Sequence, residues 1–213
     1  MAGLLVMAGC AKEVAPEHSP ADSDFLVLKA DWADLTKTDM NEGNSTWEAG
    51  DKITVVYDGA AYEYVAESAG ETTTFTSTAG ITSYDPAKSL VAYYPATDVA
   101  GTIKVEAEKT LTFKEGTQVN TSCAPLVGTP KDDNLKNGAL SVVFSNVFAV
   151  LELRIDAGEL AGTATSIKVE PASAEDFEGY LSFTGTVDPA TLAVTPAENG
   201  TGNSLTLTLP ENA

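Results

Sequence analysis

Apolar and polar residues alternate at period two through much of the chain, in short runs broken by Gly, Pro, Asn and Asp. That is the period of half-buried strands. Strands are predicted over residues 25–28, 53–57, 61–65, 72–76, 89–94, 102–106, 111–113, 166–170, 180–187, 192–195 and 205–209. Asp58-Gly59 supplies the positive φ that a tight two-residue hairpin needs between 53–57 and 61–65. Pro95 ends the run before it, because proline cannot donate to a ladder. A turn is expected near Glu108-Lys109, and residues 31–46 read as a polar, turn-rich loop. The strongest core signal lies within 138–155, where Val147, Ala149, Leu151, Leu153 and Ile155 share one face and Glu152 and Arg154 the other. No window carries a capped 3.6-residue period, and no apolar run is long enough for a transmembrane helix. About a dozen short strands predict an all-β, two-sheet antiparallel sandwich.

Composition agrees: 26 threonines, with Val, Ile, Tyr and Phe in the regular stretches, suit a pleated, half-buried surface. Charge narrows the function. With 12 basic and 31 acidic side chains among 213 residues, the formal charge is −19. That charge argues against nucleic acid as a partner, which needs basic patches, and equally against peripheral attachment to anionic headgroups. One histidine (His18) and two cysteines (Cys10, Cys123) exclude a His/Cys zinc cluster and a disulfide scaffold. There is no G-x-S-x-G, Walker loop, dinucleotide fingerprint or H-E-x-x-H. A non-enzymatic protein without cofactor or metal is expected. Residues 132–138 have the look of a calcium loop, but Lys136 takes a ligand position and no bidentate Glu follows, so a solvated turn is favoured.

Met7-Ala8-Gly9-Cys10 resembles a bacterial lipobox, in which small residues precede a cysteine that is lipidated before cleavage. Residues 1–9 then read as a signal-peptide remnant and 10–24 as a polar tether from the lipid to the domain. Cys10 is the expected lipidation site. Cys123 would have no partner and reads as a small buried apolar residue.

The order of landmarks resembles the fimbrillin-like family, the type V pilins and related surface lipoproteins. Trp47-Glu48-Ala49-Gly50-Asp51-Lys52-Ile53-Thr54-Val55 is similar to the family's W-x-x-G-D-x-I-x-V element. Tyr93-Tyr94-Pro95 matches its YYP strand end, and Pro125-Leu126 with Gly128 its P-L-x-G turn. Phe144, Ala149 and Leu151 match F-x-x-x-x-A-x-L, followed by Ser166-Ile167-Lys168-Val169. Phe177-Glu178-Gly179-Tyr180 stands at a further turn. The resemblance implies a fimbrillin-type, transthyretin-like sandwich. It also implies a surface lipoprotein of the outer membrane that joins other fimbrial subunits by strand exchange, as anchor, tip or accessory subunit, in adhesion and assembly. The family's arginine-specific processing has no counterpart here, because the sole arginine, Arg154, sits in a predicted strand. The alternative is a stand-alone lipoprotein that binds a surface glycan or protein.

Trp47, Gly50, Asp51, Tyr94, Pro95, Phe144 and Leu151 are expected to be scaffold. A sugar-stacking role for Trp47 or the Tyr93/Tyr94 pair is the competing reading, and core packing is favoured. The expected organisation places one sandwich at 25–198, with 199–213 closing it or opening a further domain. On this reading the sequence is a fragment clipped at both ends.

Overall fold

The computed structural model describes residues 24–32, 46–97, 101–105, 108–110, 113–114, 118–119, 125–132, 135–148, 165–173 and 179–208. Among these the chain is all-β. The elements are β1 (Val27–Trp32), β2 (Lys52–Tyr57), β3 (Ala60–Ala66), β4 (Thr73–Thr76), β5 (Leu90–Tyr94), β6 (Thr102–Val105), β7 (Glu108–Thr110), β8 (Phe113–Lys114) and β9 (Gln118–Val119). They continue with β10 (Leu126–Pro130), β11 (Ala139–Asn146), β12 (Ser166–Val169), β13 (Ser182–Val187), β14 (Val194–Gly202) and β15 (Leu205–Thr208).

Seven strands close into a barrel in the order β1-β11-β10-β5-β2-β3-β4. This differs from the expected pair of antiparallel sheets. Closure removes the sheet edges, which an open sandwich leaves exposed. Closure with an odd number of strands also forces a direction mismatch: strict alternation cannot return to its start after seven steps. The mismatch falls between β1 and β11, which run parallel from Val27↔Ala139 to Trp32↔Phe144. The other barrel pairs are antiparallel. Smaller sheets follow in the orders β14-β13-β6, β12-β15-β7 and β8-β9. Within the second of these, β15 and β7 are parallel.

The β2–β3 hairpin forms as expected, with Asp58 at φ 50° and Gly59 at φ 81°. Ile53, Val55 and Tyr57 point into the barrel with Tyr64 and Ala66, and are joined by Leu28, Phe75, Leu90, Leu126, Leu140, Val142 and Phe144. The loop between β4 and β5 adds Ile81, whose N–H donates to the buried Tyr64 hydroxyl at 3.1 Å. A second core lies outside the barrel wall. Val91 and Tyr93 of β5 and Val127 of β10 pack there with Ile103 of β6 and Phe183 and Val187 of β13. The β14-β13-β6 sheet therefore covers the outer face of β5 and β10, which explains why β5 is buried at every position.

Three local expectations are corrected. Pro125-Leu126 with Gly128 is not a turn: Gly128 sits within β10, opposite Ala92 and Phe144. Glu108 and Lys109 are not a turn either but belong to β7, paired with β15. The inward residues of β11 are Leu140, Val142 and Phe144, and the strand ends at Asn146; Val147 and Phe148 pack against the outer core. Ala149, Leu151, Leu153, Arg154 and Ile155 lie outside the described residues, as does Cys123. The boundary expected between 198 and 199 falls inside β14, and β15 pairs with β12 and β7.

Candidate functional site

The residues singled out in the sequence meet around Trp47. Trp47 is 1% exposed. Its backbone exchanges two hydrogen bonds with Gly70: its N–H donates at 2.8 Å and its carbonyl accepts at 3.0 Å. These bonds hold the indole over the interior, where it stands edge-on to Phe75 of β4, Tyr94 of β5 and Phe144 of β11, with ring centroids 5.1, 5.4 and 5.0 Å away. Such edge-on pairs add to the burial of the rings themselves.

The next residues explain the W-x-x-G-D spacing. Gly50 has φ +92°, so the chain reverses there without the strain a side chain would bring. Its N–H donates to the Ala66 carbonyl at 2.9 Å, and the Ala66 N–H returns a 2.8 Å bond to the carbonyl of Asp51. The turn thus prolongs the β2–β3 ladder. The Asp51 Oδ2 accepts from the Glu48 N–H at 2.8 Å, and its Oδ1 accepts from the Tyr94 hydroxyl at 3.3 Å. Burial raises the Asp51 pKa above the ordinary aspartate value, and the Tyr94 bond partly offsets this. Burial likewise raises Tyr64 and Tyr93.

A carboxyl whose folded pKa is raised binds its proton more tightly when folded. Its contribution to stability is complete below the unfolded value and is lost as pH rises through the folded one. Asp51→Asn keeps an oxygen acceptor and removes the titration. The wild type should therefore gain on Asp51→Asn as pH falls from neutral toward about 4. Urea midpoints of both proteins at pH 7 and pH 4 check this; a difference independent of pH would overturn it.

Tyr93 and Tyr94 are both buried, and they project to opposite faces of β5, into the outer and inner cores respectively. Adjacent strand residues cannot form one stacking surface. The sugar-platform reading of Trp47, Tyr93 and Tyr94 is thus replaced by core packing. Pro95 follows β5 and is exposed. Cys10 and Leu151 lie outside the described residues. Lys136 ion-pairs with Asp132 at the β10–β11 turn, where Asn137 and Gly138 take positive φ.

Sequence reasoning missed a surface feature at the other sheet. The β13–β14 register skips between Phe183↔Thr201 and Gly185↔Pro196, so the chain at 197–200 bulges away. Asn199 has φ 58° there. A shallow open groove of about 160 Å³ lies at this bulge, lined by Lys104, Ser182, Phe183, Thr184, Asn199 and Thr201 among others. On the core face of β13, the Phe183 ring meets Phe148 and Tyr180, with centroids 5.2 and 5.8 Å apart. Tyr180 is 44% exposed. The Asn199-Gly200 dipeptide was the one local signal, since it marks a break inside an otherwise strand-like run.

Compared with protein-family models and with curated proteins, the chain matches none. Among solved structures it is similar to a crystal structure from Bacteroides uniformis ATCC 8492, described as "a putative cell adhesion protein". The two share 20% identity at a TM-score of 0.47, over 88% of this chain and 71% of that one.

Proposed function

We propose that the chain is a non-enzymatic cell-surface lipoprotein of fimbriae, an anchor, tip or accessory subunit that acts in adhesion and assembly. The observation that carries this reading is the convergence at Trp47. The motif residues resembling the fimbrillin-like family, Trp47, Asp51, Tyr94 and Phe144, are far apart in sequence yet form one contact set.

On this reading Cys10 carries lipid and holds the protein at the outer membrane, with the polar residues to 24 as tether. Other fimbrial subunits are the partners, through β-augmentation, in which main-chain hydrogen bonds supply affinity and alternate side chains specificity. The barrel strands are already paired around a ring. The terminal strands of the small sheets are the places to add one. Of these β12 is the best suited, because Ile167 and Val169 pair with Leu207 and Leu205 and give a half-buried aliphatic stripe along the sheet's end.

Two measurements test the reading in the native bacterium. Mass spectrometry of the membrane fraction should find Cys10 as the lipid-modified N-terminus of the mature protein. Immunogold labelling of whole cells should then place the protein on or at the base of surface fibres. An unmodified Cys10 still joined to Gly9 would sink the lipid anchor, and label confined to the cell interior would sink the surface role.

A further inference from the structure

We propose that Asn137 is a site of spontaneous deamidation, and that the fold directs the reaction there and away from Asn199. The inference concerns a modification within one chain and does not depend on the assembly reading.

The chain holds two Asn-Gly dipeptides, Asn137-Gly138 and Asn199-Gly200. Both asparagines are exposed and have positive φ, 53° and 58°. In each pair the glycine has no side chain to shield its backbone nitrogen, the atom that attacks the asparagine Cγ. A new N–Cγ bond closes a five-membered succinimide as the Cγ–Nδ2 bond breaks. The glycine N–H gives its proton to solvent base, and the amide nitrogen takes one up and leaves as ammonia. Water then opens the ring. Attack at Cγ restores the main chain and yields aspartate; attack at the backbone carbonyl leaves the glycine joined through the side chain, which is isoaspartate.

The two sites differ in what holds the glycine. Asn137-Gly138 forms the whole of a two-residue turn, closed by reciprocal bonds of 2.8 and 3.1 Å between the backbones of Lys136 and Ala139. Gly138 has φ 81°, and a tight turn with positive φ at both positions is where Asn-Gly is preferred. Gly138 is exposed, and among the described residues its N–H has no hydrogen-bond acceptor. Its nitrogen is open to solvent base and gives up no bond on attack. Gly200 is pinned instead. A Cβ there would lie 2.2 Å from the Thr184 carbonyl oxygen and 3.0 Å from the backbone nitrogen and oxygen of Ala197. Rotation of this peptide toward the Asn199 side chain must first loosen the bulge, and the free energy of that local opening adds to the barrier.

The products have different effects on the hairpin. Aspartate adds a carboxylate next to Lys136, which already pairs with Asp132, and leaves the backbone intact. Isoaspartate carries a side-chain methylene into the main chain. A turn of two residues lengthened in this way cannot keep both Lys136–Ala139 bonds, so the tip of the β10–β11 hairpin opens while the pairs from Pro130↔Val142 inward remain.

The full chain is incubated in warm, mildly alkaline buffer and mapped by peptide mass spectrometry at intervals, with isoaspartyl methyltransferase labelling to detect isoaspartate. Asn137 should convert roughly tenfold faster than Asn199, equivalent to about 1.4 kcal/mol of barrier. In denaturing urea the two rates should converge, because both asparagines precede glycine. Asn137→Gln, whose ring would need six members, should abolish the fast conversion and the methyltransferase label that accompanies it. No conversion at Asn137, an equal or faster rate at Asn199 in the folded chain, or a difference that persists in urea would each overturn the proposal.

Discussion

Trp47→Ala should lower the unfolding free energy by about 3–5 kcal/mol, the largest loss expected from a single truncation here. The indole is 1% exposed and touches rings from three separate strands, so its removal leaves a hole beneath Phe75, Tyr94 and Phe144. Those strands are fixed by ladder bonds around a closed barrel. They cannot move together to fill the space, and a site that cannot collapse bears the full cost of its cavity. Against a typical total of about 5–15 kcal/mol, such a loss brings the protein near unfolding. Trp47→Phe should cost clearly less, since a ring still meets the three partners. Urea unfolding followed by far-UV circular dichroism measures both. A midpoint for Trp47→Ala equal to wild type would place the indole outside the core.

Gly128→Val fails for the opposite reason. A Cβ at 128 would stand 2.8 Å from two Phe144 ring carbons and 2.8 Å from Val142 Cγ1, closer than packed carbons approach. Phe144 cannot swing aside, because Trp47 and Phe75 hold its other side. Overpacking of this kind costs about 1–3 kcal/mol and sometimes more. Gly128→Ala should be destabilising too, by less. Phe144→Leu should recover part of that loss in the Gly128→Ala background, because the two positions share one space and their effects do not add. A double-mutant cycle of thermal midpoints reads the coupling; strict additivity would show that the ring and position 128 do not compete.

The W-x-x-G-D resemblance thus resolves into physical parts. Trp47 fills the barrel, Gly50 and Asp51 turn the chain into β2, and Tyr94 ties the turn to β5 through Asp51.

Local chain geometry determined what the sequence revealed by itself. The all-β class, the Asp58-Gly59 hairpin and the strand ended by Pro95 were legible because period-two alternation, positive φ and a missing N–H are properties of neighbouring residues. Trp47 as core was legible from its size and its place before a strand. Closure was not. Whether seven strands form a ring or two sheets depends on partners far apart in sequence, and the parallel β1–β11 pair leaves no local mark. Nor did the sequence distinguish Gly128 in a strand from Gly128 in a turn, because the reason for glycine there is the Phe144 ring on the next strand. The burial of β5 on both faces, which sends Tyr93 and Tyr94 into different cores, arose only when the β14-β13-β6 sheet covered the barrel wall. The groove at the β14 bulge is likewise tertiary: it exists where two strands fall out of register, and register is a property of the pair.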